Sequence, residues 1–140
     1  MIYRLIYKSK ASPSVTDADF RTIAMFSSLW NKRHNISGLL LHYNGQIMQV
    51  LEGPEDEVKN LYARIERDKR HHDVTVVMSR SCEKPYFEEW SMGFRPMESA
   101  EQMDAFFELT KENLEKAIPD TATEDLRQVV GDFATNAGII

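Results

Sequence analysis

Cysteine is nearly missing from this chain: Cys82 is the only one among 140 residues, which excludes an intramolecular disulfide. Long apolar runs are missing too. None approaches the roughly 20 residues that a membrane-spanning helix needs, and the N-terminus MIYRLIYKS lacks the apolar core of a secretory signal. Both absences point to a cytoplasmic protein with no membrane partner. Nor is positive charge in excess. The 17 Lys and Arg are outnumbered by 22 Asp and Glu, for a net charge of -5, and a surface of that sign repels phosphate backbones, so nucleic acid is excluded as a partner. No low-complexity stretch or targeting motif is found. What remains, 42% hydrophobic residues, suits one globular domain with a substantial core.

Alternation over Ile2–Lys8 puts Tyr3, Leu5 and Tyr7 on one face of a strand and Ile2, Arg4 and Ile6 on the other. Thr16, with Asp19 three residues on, reads as the N-cap of a helix from about Asp17 to Lys32. Its Phe20, Ile23, Ala24, Ser27 and Asn31 fall on one stripe. Ser37–Tyr43 and Gln46–Leu51 read as strands joined by Asn44-Gly45, the dipeptide of a type I′ hairpin. Gly53-Pro54 opens a second helix with Val58, Leu61, Tyr62 and Ile65 inward, and the run DKRHHD at its end compensates the helix dipole. Val74–Ser79 and about Trp90–Phe94 supply two more strands. The order strand, helix, hairpin, helix, two strands describes a ferredoxin-like α+β sandwich, βαββαββ, with both helices on one sheet face. From about Ala100 the pattern predicts one helix with Met103, Phe106, Phe107, Leu114 and Ile118 in phase. After Pro119 a second carries Leu126, Val129, Val130 and Phe133. Both are expected to cover the other sheet face.

The stretch GQIMQVLEG carries Gln49 between Ile47 and Leu51 in a strand whose two faces are both apolar. A buried amide left without partners costs about 1 to 3 kcal/mol, so whatever lies over that face must offer a donor and an acceptor. Tyr7 brings a phenol to the same face. Asn31 is placed to hold the polar edge of a flat ligand between the helices, flanked by Ile23 and Ile65, with Arg64 and Asp68 at the helix end. Each residue alone also has a plainer reading. Tyr7 can be a core tyrosine bonded to backbone, Gln49 an edge or bulge residue, Asn31 a helix C-terminal cap, and Arg64 with Asp68 an exposed i, i+4 pair. His71 and His72 lack the rest of a ligand set, so no metal site is expected.

Taken together, LIYKS around Tyr7, WN at Trp30 and Asn31, ISGLL, QVLEG with Gln49, RIERDKRHH, and FEEWSMGF with Trp90 and Met92 resemble a BLUF domain over roughly residues 1–95. BLUF domains are blue-light sensors that use FAD, and this chain resembles the short, stand-alone members. The resemblance implies non-covalent FAD and no enzymatic turnover. It gives Tyr7 the role of electron and proton donor to photoexcited flavin and makes Gln49 the switch, rotating or tautomerising so that a new bond to the flavin carbonyl shifts absorption to the red. Asn31, with Ser27 and Trp30 on the same helix, is implied to contact the flavin ring. Ile23 and Ile65 would sandwich it, and Arg64, Asp68, Arg70 and His71 would stand near the ribityl and phosphate portion. Trp90 and Met92 match the signalling strand. Residues 1–97 would then be the flavin-binding domain and 98–140 a helical extension of the same globular unit. A downstream signalling protein is the expected partner, and a homo-oligomer is expected. One departure stands out: Trp30 occupies a position that is commonly His or Asn in the family, where an indole can stack on the ligand or open a competing electron route.

Two rivals stay in view. An acylphosphatase-like hydrolase on the same scaffold needs a backbone-lined phosphate loop with an Arg and an Asn, whereas SKASPSVT after the first strand has neither glycine nor arginine. A cofactor-free interaction module predicts colourless protein in which Tyr7 and Gln49 bond only to protein groups.

Overall fold

A computed structural model describes residues 1–95 and 106–139. The elements are β1 (Ile2–Ala11), α1 (Asp17–Arg33), β2 (Ser37–Tyr43), β3 (Gln46–Gly53), α2 (Glu55–Glu66), β4 (His71–Cys82), β5 (Trp90–Arg95), β6 (Phe106–Glu108), α3 (Lys111–Ala117) and α4 (Glu124–Ala137). They form one sheet of order β4-β1-β3-β2-β5-β6. The first four strands are mutually antiparallel in ferredoxin-like order, and β5 and β6 add in parallel beyond β2.

Local chemistry fixes the ends. The Thr16 hydroxyl accepts from the Asp19 N–H at 3.0 Å while the Asp19 carboxylate accepts from the Thr16 N–H at 3.3 Å, so both halves of the capping box start α1. Asn44 and Gly45 have φ of 51° and 79°, the left-handed pair that a type I′ turn requires.

Alternation then sorts the strands' side chains into two cores. Leu5, Tyr7, Leu40, Ile47 and Leu51 face α1 and α2, packed with Ala24 and Val58. Ile6, Leu39, Leu41, Met48 and Val50 face the other way, beneath Leu114, Ile118, Leu126, Val130 and Phe133. Burying each such side chain stabilises the fold by on the order of 1.5 to 3 kcal/mol. The second core also encloses an ion pair. Arg4 Nε donates to Glu52 at 2.8 Å with both side chains buried, and the N–H groups of Tyr86 and Phe87 each donate to the same carboxylate at 2.8 Å. The guanidinium donates to the Lys84 carbonyl and lies over the Tyr86 ring. Every charge is thus matched, which pins the β4–β5 connection to the sheet.

The C-terminal segment departs from the predicted single helix. Phe106–Glu108 is β6, paired with β5, and the helix begins only at Lys111, N-capped by the Thr110 side chain accepting from Asn113 N–H. The physical reason is the edge of β5, whose unpaired backbone groups are satisfied by a neighbouring strand and would not be by a helix. The helical phase of Phe106, Phe107 and Leu114 is overridden by that pairing. Met103 lies outside the described residues.

Candidate functional site

Between α1 and α2, over β1 and β3, lies a cavity of about 110 Å³. It is a half-open groove lined mostly by apolar side chains with a few polar groups, the usual form of a ligand site. Its floor is Tyr7, Leu40, Ile47 and Gln49. Phe20, Ile23, Ala24, Ser27 and Asn31 of α1 form one wall, and Leu61 and Ile65 of α2 the other. Asp68, Arg70 and His71 close the end beyond α2.

Tyr7 and Gln49 are directly opposed in the β1–β3 ladder, and the Tyr7 hydroxyl donates a short hydrogen bond to Gln49 Oε1. Burial pushes the Tyr7 phenol far above its usual pKa, with Tyr62 and Asp68 adding to the rise, so the group is a protonated donor. Gln49 Oε1 is thereby committed to Tyr7.

Asn31 is 1% exposed, and neither its Nδ2 nor its Oδ1 has a partner among the described residues. It is not a cap: His34 ends α1, and the backbone carbonyls of Trp30, Asn31 and Lys32 receive its N–H. A folded chain tolerates an orphaned donor and acceptor side by side, at about 1 to 3 kcal/mol each, when something else supplies their complements.

His71 bridges Ser9 and α2. Its Nε2 lies 2.6 Å from the Ile65 carbonyl, which can only accept, so Nε2 carries a proton, and Nδ1 is hydrogen-bonded to the Ser9 hydroxyl at 2.9 Å. Beside it the Arg70 backbone N–H and guanidinium both donate to Asp68 at 2.9 Å, and that bonding holds the Asp68 carboxyl below its usual pKa.

Four residues singled out from the sequence do not line the cavity. Trp30 stacks on His34 at 3.6 Å with the Arg64 guanidinium 4.9 Å from its ring, so both Trp30 and Arg64 belong to an outer stack at the end of α1. Trp90 and Met92 are buried on the same sheet face, but across β2: the register runs Tyr7, Gln49, Leu40, Met92 from β1 to β5. Trp90 lies over Gly38, where an added Cβ would come within 1.8 Å of the Val50 carbonyl oxygen and 3.2 Å of the indole. Its Nε1–H is buried without a partner among the described residues. Conversely, Phe20, Ala24, Leu40, Ile47 and Leu61 line the cavity although the sequence marks them only as core, because ligand walls and cores use the same side chains.

The profile of the BLUF family, described as sensors of blue-light using FAD, matches residues 2–93. The chain belongs to the BLUF family. As a BLUF domain it is a blue-light sensor that uses FAD. It is 43% identical over 89 residues to photoactivated adenylate cyclase subunit beta of Euglena gracilis, covering 63% of this chain and 10% of that one. With the subunit beta-like protein FB of the same organism it shares 35% identity over 129 residues, 87% of this chain and 15% of that one. The chain thus spans only about a tenth to a seventh of these relatives' length. Among solved structures, a bacterial light-regulated adenylyl cyclase superposes with a TM-score of 0.62 at 33% identity, over 66% of this chain and 27% of that one. BlsA in its photo-activated state superposes with a TM-score of 0.67 over 100% of this chain and 96% of that one, at 22% identity, a likeness of fold. The residues present fit FAD: apolar walls, a carboxamide without a partner among the described residues to read a ring edge, and an arginine at the end beyond α2. No helix among the described residues is long and apolar enough to cross a membrane.

Proposed function

We propose that the cavity between α1 and α2 is where this BLUF domain holds its flavin, and that Tyr7, Gln49 and Asn31 are the residues that read it. The observation that carries this is the Asn31 carboxamide, buried and unpartnered on the cavity wall. Ile23 and Ile65 would flank the ring, Ser27 would line its edge, and Asp68, Arg70 and His71 would stand toward the ribityl and phosphate portion. Trp30 and Arg64, stacked outside, would stiffen the end of α1.

When bound, FAD supplies blue absorption and an excited state that is a strong oxidant. The chain's own residues determine the response. Burial keeps the resting Tyr7 phenol protonated; once it gives up an electron the oxidised phenol is strongly acidic, so the proton leaves as well, and Gln49 Oε1 is the hydrogen-bond acceptor already in place. An amide that takes a proton at oxygen and gives one up from nitrogen, or that turns about its terminal bond, exchanges donor for acceptor. The change would pass along the register through Leu40 to Met92 and Trp90. The Trp90 N–H, buried without a partner among the described residues, lies at the end of that path. Residues 1–97 would act as the flavin-binding unit, and 98–140, whose α3 and α4 cover the far face, would carry the signal to a downstream protein in the cytoplasm. A homo-oligomer accords with this reading.

Absorption spectra test it. The purified yellow protein should show a reversible red shift under blue light, and Gln49→Leu should keep its flavin and lose the shift. A Gln49→Leu protein with an unaltered photocycle would refute the switch.

A further inference from the structure

Helix α1 turns one stripe to the cavity and leaves another bare. On that outer stripe Phe26 is 65% and Leu29 59% exposed, the two most exposed large apolar side chains after Met1 among the described residues. Scattered apolar residues on a surface are ordinary, but two at i, i+3 spacing form a contiguous patch. Its surroundings are ordered by charge. Asp19 lies seven residues before Phe26 and Arg33 seven residues after it, which sets both on the same stripe, each about 10 Å from Phe26 along the axis. Both are exposed, and Arg33 has no ion pair among the described residues.

A stripe with an acid at one end, a base at the other and an apolar centre complements itself when a second copy is laid antiparallel. We propose that α1 pairs with α1 of a second copy about a two-fold axis at Phe26, so that each Asp19 meets the Arg33 of the other chain and Leu29 fills the space beside the two phenyl rings. Antiparallel packing also sets each helix's N-terminus against the other's C-terminus, the favourable sense for their dipoles. Phe26 and Leu29 from both chains would bury roughly a few hundred Å² of apolar surface, well under the ~1,200 Å² of stable interfaces. The dimer is therefore weak and concentration-dependent, and it joins two flavin-lining helices back to back.

Sedimentation equilibrium of the flavin-loaded chain, from low micromolar to near-millimolar, tests this. The wild-type mass should climb toward twice that of the monomer, and Phe26→Glu, an exposed change, should hold it at the monomer. Asp19→Arg and Arg33→Asp should each weaken association roughly tenfold, because either change replaces two ion pairs with two like-charge repulsions. An equal mixture of these two variants should recover it, because each then supplies the charge the other needs. A wild type that is monomeric at near-millimolar concentration, a Phe26→Glu variant that associates as before, or a mixture no tighter than its components would each overturn the proposal. Bound flavin is read from visible absorption in the same samples, so loss of association and loss of the cofactor are told apart.

Discussion

The two faces of the sheet solve the same problem in opposite ways. Beneath α3 and α4 the strands bury an arginine and a glutamate, and the structure surrounds them with donors and acceptors until no charge is unmatched. Beneath α1 and α2 it buries a tyrosine, a glutamine and an asparagine, and leaves the asparagine carboxamide without a partner among the described residues beside open space. The first arrangement is what a fold needs for itself. The second makes sense only if the missing partners arrive with a ligand, so the difference separates structural from functional polarity within one core.

Breaking the closed face should have the largest effect. Glu52→Ala strands the Arg4 guanidinium and two backbone N–H groups, and should cost about 3 to 5 kcal/mol in urea unfolding. A loss below about 1 kcal/mol would mean that the pair is hydrated and the contrast between the faces is false.

The open face predicts a subtler pH dependence. Because the Tyr7 pKa is raised in the folded chain, its contribution is intact below the unfolded phenol value near 10 and is lost as pH rises beyond it. Between about pH 10 and 11 the wild type should lose about 1 kcal/mol more than Tyr7→Phe, since the unfolded chain releases a proton that the folded chain keeps. Parallel losses in the two proteins would show that the phenol is solvated. Smallest is the rim. The lowered pKa of Asp68 stabilises the fold above the ordinary carboxylate value near 4, and this is lost as pH falls through the lowered one. Asp68→Asn should therefore cost less than about 1 kcal/mol at about pH 7 and nothing near pH 2, by thermal melts.

Much of this contrast is legible in the chain. Alternation in β1 and β3, the Thr16–Asp19 box and the Asn44-Gly45 turn are local signals, and the structure agrees with each. Gln49 and Asn31 stand out as amides in apolar stripes. The cavity itself is not legible, because Phe20 and Leu61 look the same whether they face a ligand or a neighbour. Trp30 is adjacent to Asn31 on the helix, yet its indole goes to His34, one turn on, and to Arg64, a contact remote in sequence. The strand at Phe106 is hidden for a similar reason: it depends on the bare edge of β5 and not on its own periodicity.

Asn31→Leu reports on the central claim most directly, through two quantities measured on one protein. Stripped of flavin, the variant should unfold within about 1 kcal/mol of wild type, or be more stable, because no protein group loses a hydrogen bond. Its FAD affinity should fall at least about tenfold, the worth of one good hydrogen-bonding amide. An apo protein destabilised by several kcal/mol with FAD affinity unchanged would contradict the account and make Asn31 a structural residue.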